Sequence, residues 1–207
     1  MHTKLVRTKR TQQQAFDNAT QSLDFNSRLP DNVFIGHWDS FLFCESDRMF
    51  DREFVSILNL LLQLEKASVS CVINISETKV FNIDEAALIF IDEEVTGNEY
   101  MQSLQAGGPA NGWFYMVDRY ACSSNIGEWC IYCEKDNDVA VIGLRKAAGI
   151  EKFKEPFRYL HASPITDLIS KGSSSLYPFS HLIPAWREGL LKNYGIAGGS
   201  DGGLQND

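Results

Sequence analysis

The stretch 112–144, GWFYMVDRYACSSNIGEWCIYCEKDNDVAVIGL, constrains the fold of this chain more than any other. Three runs within it, 113–120, 128–134 and 139–144, alternate or are continuously apolar. Turn residues bound each of them: Ser123, Ser124, Asn125 and Gly127 fall in the first gap, Lys135, Asp136, Asn137 and Asp138 in the second. Runs of this length and composition, separated by such clusters, predict a three-stranded antiparallel meander. A period of two puts Trp129, Ile131 and Cys133 on one face of the middle strand and Cys130, Tyr132 and Glu134 on the other. The third strand repeats this, with Val139, Val141 and Gly143 against Ala140, Ile142 and Leu144. Neither face can be left to water, so helices from elsewhere in the chain must cover both.

Upstream, 69–75 alternates Val69, Cys71, Ile73 and Ile75 against Ser70, Val72 and Asn74, and 86–91 is a continuous apolar run, so both read as strands. The aromatic-rich 33–44 reads as an early strand with a bend at Gly36. Ser46 or Asp47 is expected to cap a helix reaching Lys66. Asp51 and Glu53 lie in its first turn, and Phe54, Ile57, Leu58, Leu61, Leu62 and Leu64 form its buried stripe. A second helix over 96–106 starts from Thr96 with Glu99 completing a capping box, and Gly107, Gly108 and Pro109 end it. Ser163 and Pro164 open a short helix, and a last helix runs from Pro184 to a Gly195 cap. The sum is an α+β fold: a mostly antiparallel sheet of five or six strands, with helices packed on it.

With 207 residues, 44% of them hydrophobic, the chain can bury one substantial core, and neither a repeat nor a linker divides it. Residues 1–32 read as a polar, mobile arm with one short helix over 12–22. Residues 33–195 form the domain, and the glycine-rich 196–207 reads as a disordered tail. The basic start, Lys4 to Arg10, is followed by Thr11 and three glutamines where a signal peptide needs an apolar core. The five cysteines are odd in number and sit in apolar runs, the pattern of buried free thiols in a reducing compartment, so a cytoplasmic location is expected.

Most chemical motifs fail on spacing or context. Cys130 and Cys133 have C-x-x-C spacing, but on a strand that spacing sends the thiols to opposite faces, against a redox or zinc site. His37, His161 and His181 are dispersed, and any of them can in principle activate Cys122 or the Ser123–Ser124 pair, without the spacing selecting one. The Gly107–Gly108 and Gly198–Gly199 pairs lack the Lys-Ser/Thr of a phosphate loop and the Rossmann spacing, so no cofactor is implied. Asp136 and Asp138 lack the glycine and terminal glutamate of a calcium loop.

Charge is the feature that remains. The net charge is −8, which disfavours general nucleic-acid binding, and between Val80 and Asp118 there is no Lys or Arg. Asp84, Glu85, Asp92, Glu93, Glu94, Glu99 and Asp118 all fall in that segment, whereas residues 145–192 are locally cationic. A solvated face is the ordinary reading of such a run. The sharper reading is a docking surface for a cationic protein, with Asp92, Glu93, Glu94 and Glu99 as its contact residues.

The run 128–143, EWCIYCEKDNDVAVIG, resembles a strand pair of the immunity proteins of bacterial polymorphic-toxin and contact-dependent inhibition systems. The resemblance implies a small acidic α/β protein that binds and neutralises a basic toxin, and it carries no functional residues to transfer. The leading expectation is thus a non-enzymatic cytoplasmic binding protein with neither cofactor nor metal, no nucleic-acid partner and no membrane span. A small enzyme with a Cys/His or Ser/His site in a cleft, and a structural adaptor subunit, are the alternatives.

Overall fold

The computed structural model describes residues 2–76, 82–170 and 172–195. The expected tail, 196–207, lies outside the described residues. In chain order the elements are α1 (His2–Gln21), β1 (Ser40–Glu45), a 3-10 turn (Ser46–Phe50), α2 (Phe54–Glu65), β2 (Ser70–Asn74), β3 (Leu88–Ile91) and α3 (Gly97–Gln105). There follow two single-turn helices, α4 (Gly108–Asn111) and α5 (Trp113–Met116), then β4 (Arg119–Ser124), β5 (Trp129–Glu134) and β6 (Val139–Leu144). The C-terminal part adds α6 (Gly149–Lys152), α7 (Lys154–Tyr159), α8 (Ile165–Leu168) and α9 (Pro184–Tyr194). The six strands form one antiparallel sheet in the order β1-β6-β5-β4-β2-β3, so the fold class is α+β as expected.

The meander is present, but its first strand is not 113–120. The backbone there closes on itself, with Gly112 N–H donating to Gly108 and the Tyr115 and Met116 N–H groups to Gly112, and the strand begins only at Arg119. Ser123 and Ser124, expected in the turn, are fully buried inside β4. Their hydroxyls make this possible. Ser123 Oγ donates to the Trp129 carbonyl at 2.7 Å, and Ser124 Oγ accepts the N–H groups of Ile126 and Gly127. A buried hydroxyl with a partner costs little, so polarity alone did not mark a turn. The true turn, 125–128, needs Gly127 at φ +81, where an added Cβ would stand 2.7 Å from Asn18 Nδ2.

Both faces of the sheet are covered. Trp129, Ile131, Cys133, Ala140, Ile142 and Leu144 pack with α2, α3 and α7. Cys130, Tyr132, Val139 and Val141 pack with α1, α8 and α9. The alternation read from the sequence therefore assigns each side chain to its layer, and the result is a sheet between two helical layers.

The first helix expected after β1 is split. Buried Tyr120 and Tyr100 donate their hydroxyls to the carbonyls of Ser46 and Met49, each at 2.7 Å. These bonds tie 46–50 to α3 and β4, where it winds as a 3-10 turn, and α2 starts at Phe54. Asp51 and Glu53 precede α2 and do not lie in its first turn, and Leu64 is exposed while Glu65 is buried.

The expected early strand over 33–44 is confined to Ser40–Glu45, because Gly36 turns the chain at φ +81 and Trp38 Nε1 donates back to the Ile35 carbonyl. The arm expected over 1–32 is a 20-residue helix and a packed return segment. Ala15, Phe16, Ala19, Leu23 and Leu29 are buried, and Asn18 Nδ2 donates to the Ser124 carbonyl at 2.9 Å. Tyr194 of α9 closes this corner, its hydroxyl donating to the Asp31 carbonyl at 2.7 Å and accepting the Val33 N–H at 3.0 Å.

Candidate partner-binding surface

The acidic segment brackets β3, which forms one margin of the sheet. Asp92, Glu93 and Glu94 follow its last residue, and Asp84 and Glu85 precede its first. Because β4 runs alongside β3 in the same direction, with β2 antiparallel between them, Asp118 at the start of β4 lies at the Asp84–Glu85 end. The seven acids therefore divide between the two ends of the strand.

The four expected contact residues differ in what they do. Glu99 completes the capping box of α3: its Oε2 accepts from the Thr96 N–H at 2.8 Å and the Thr96 hydroxyl at 2.7 Å. The backbone hydrogen bond with Thr96, reinforced by the hydroxyl, holds the Glu99 carboxyl below the usual range. Asp92, half-buried, accepts the Glu94 N–H at 3.0 Å and fixes the loop after β3. Glu93 and Glu94 are exposed, and Glu93 also lines a shallow cleft of about 430 Å³ with Asn59, Leu62, Gln63, Ala67 and Ser68. Glu93 and Glu94 are thus the acids left for a partner, and Asp92 and Glu99 set the backbone that presents them. The start of α3 is closely packed, since a Cβ added at Gly97 would stand 2.7 Å from the Arg52 carbonyl oxygen.

The groups proposed for the alternative nucleophilic chemistry are not brought together. Cys122 is fully buried, and burial pushes its thiol well above the usual range. His37 is exposed, with Nε2 2.6 Å from Asp39 Oδ1. A cleft of about 510 Å³ does hold Cys44, His161 and Ser163, together with Arg48, Arg158 and Tyr177. The Cys44 thiol is pushed up to about 12 by burial, and Ser163 is held by its backbone against Phe43. A thiol so far up is no nucleophile near neutral pH. All five cysteines are buried and unlinked, and Cys130 and Cys133 face opposite cores. Among the described residues no cluster of His, Cys, Asp and Glu is arranged to hold a metal.

One buried carboxyl makes the stability pH-dependent. Glu65, at the end of α2, accepts the Glu128 N–H on Oε1, while its Oε2 and the nearby Trp129 Nε1 are buried without a partner within hydrogen-bond distance. Burial raises its pKa, and bonds from Ser124 and the Glu128 backbone only partly offset this. A raised carboxyl favours the folded state when protonated. Its contribution is fully present below the ordinary glutamate pKa and is lost as pH rises through the folded value. The stability of the wild type relative to Glu65→Gln should therefore rise as pH falls from 7 toward 4.5, read as urea midpoints across that range. A constant difference would show that Glu65 has the same pKa in both states.

The class defined by this geometry is an α+β domain whose six-stranded antiparallel sheet lies between two helical layers, with β3 at one margin. Among the described residues no helix is long and apolar enough to cross a membrane. No family model matches the chain, and no curated protein or solved structure matches it.

Proposed function

We propose that this protein is a non-enzymatic binding protein that docks a cationic protein partner at the acidic margin around β3. The supporting observation is the placement of exposed Glu93 and Glu94 on a short loop fixed by Asp92 and by the Thr96–Glu99 capping box, beside the half-buried strand β3. Charges held on a rigid element give a directed field, which speeds encounter with a basic surface. The specific form of the proposal, from the likeness of 128–143 to immunity proteins, is neutralisation of a basic toxin domain. The five buried free thiols suit a reducing cytoplasm for this action.

The test begins with co-purification of the tagged protein with the product of the gene directly upstream, followed by stopped-flow association at two salt concentrations. Glu93→Lys with Glu94→Lys should leave folding intact, since exposed charges contribute at most about 1 kcal/mol. Association should slow by roughly tenfold at low salt and lose much of its salt dependence. Equal rates for wild type and variant would remove the acidic margin as the docking site.

A further inference from the structure

The two margins of the sheet are finished differently. At β1 the outer edge is covered: Phe43 N–H donates to Ser163 O at 2.8 Å and Ser163 N–H returns a bond to Phe43 O at 3.0 Å. At β3, among the described residues, β2 is the only strand partner. The register pairs Val72 with Ile89 and Ser70 with Ile91, and Asn74 N–H bonds to Ala87 O. Hydrogen-bonded pairs alternate along an antiparallel ladder, so 87, 89 and 91 face β2, while the N–H and C=O groups of Leu88 and Phe90 point outward. Leu88, Ile89 and Phe90 are all half-buried. Natural edges are blunted by short strand length, Lys, Pro or a bulge; β3 is short, at four residues, but Leu-Ile-Phe-Ile carries neither Lys nor Pro and its register with β2 is unbroken.

From this geometry, and resting on the docking reading above, we infer that β3 receives an extended segment of the cationic partner as a seventh strand, with basic residues of that segment meeting the acids at the two strand ends. Main-chain bonds to Leu88 and Phe90 supply the attachment, and alternate apolar side chains extend the two half-covered faces. Charge also selects the occupant. If two copies of this chain paired β3 with β3 antiparallel, Asp92, Glu93 and Glu94 of one would lie beside Asp84 and Glu85 of the other. Like charges brought together oppose that pairing, whereas a segment with lysines or arginines at its ends relieves them.

The probe is a synthetic strand peptide, Lys-Lys-Val-Thr-Val-Thr-Val-Lys-Lys, with a glutamate-flanked peptide of the same core as control. Amide hydrogen exchange and ¹⁵N shifts of the full chain are followed on titration. The lysine-flanked peptide should slow exchange at Leu88 and Phe90 at least tenfold, and the control should bind at least tenfold more weakly. Phe90→Pro removes one outward N–H without touching the β2 ladder, and proline is tolerated at such an edge position. It should abolish this binding, and Phe90→Leu should retain it. Binding of the lysine peptide that shifts Glu93 and Glu94 but leaves the Leu88 and Phe90 amides exchanging would overturn strand addition while leaving acidic docking intact. No binding of the lysine peptide at millimolar concentration would overturn strand addition, and the reversed-charge kinetics with the co-purified partner then decide the docking reading separately. Protection of the same amides in peptide-free protein that grows with protein concentration would assign the edge to a second copy and overturn the proposal.

Discussion

Trp129→Ala should lower the unfolding free energy by about 3–5 kcal/mol, a large share of the roughly 5–15 kcal/mol by which a domain is stable. Trp129 is fully buried at the start of an inner strand, with β4 on one side and β6 on the other. It belongs to the apolar layer between the sheet and α2, α3 and α7, where neighbours in rigid elements cannot collapse into the vacated space. Urea unfolding measures the loss, and an unchanged midpoint would mean that β5 is not an inner strand.

Glu134→Ala should be almost as damaging, by about 3 kcal/mol or more, for a different reason. Glu134 is 3% exposed and its Oε1 accepts the Leu29 N–H at 2.9 Å and the Tyr132 hydroxyl at 2.7 Å. Its cross-strand partner Arg119 is also buried, and donates Nη1 to the Phe25 carbonyl at 3.1 Å and more weakly to that of Ser27. Deleting the carboxylate leaves the buried Leu29 N–H and the buried Tyr132 hydroxyl without their acceptor. The same change frees the 23–34 segment that links α1 to β1. Proteolysis should then cut near Phe25 at a rate well above wild type, whereas Trp129→Ala at matched stability should not expose that site selectively. Uniform cleavage in both variants would show that Glu134 contributes only to global stability.

These two residues also separate what was legible in the sequence from what was not. The alternation of β5 and β6 placed Trp129, Ile131 and Cys133 on one face and Cys130 and Tyr132 on the other, and the structure assigns them to separate cores. Glu134 shares the face of Tyr132, but its partners lie at Leu29 and Asn137 as well as on its own strand, and no local pattern points to Leu29. The same holds for the candidate site. The Thr96–Glu99 capping box was readable because its atoms are three residues apart, and it turns out to use Glu99 structurally. That Leu88 and Phe90 present outward backbone groups depended on strand order, and an apolar run such as 86–91 reads alike at the centre and at the edge of a sheet.

The α+β class, the side-chain facing of β5 and β6, the α3 cap and the span of the last helix are legible in the residues alone, because each follows from periodicity or from bonds between near neighbours. Tertiary structure alone decided that Ser123 and Ser124 are strand and not turn, that 15–34 is packed and not an arm, and that β3 is a margin. In those cases the deciding term is a hydrogen bond or an apolar contact with a residue distant in the chain, and such a partner leaves no periodic trace in the segment that needs it.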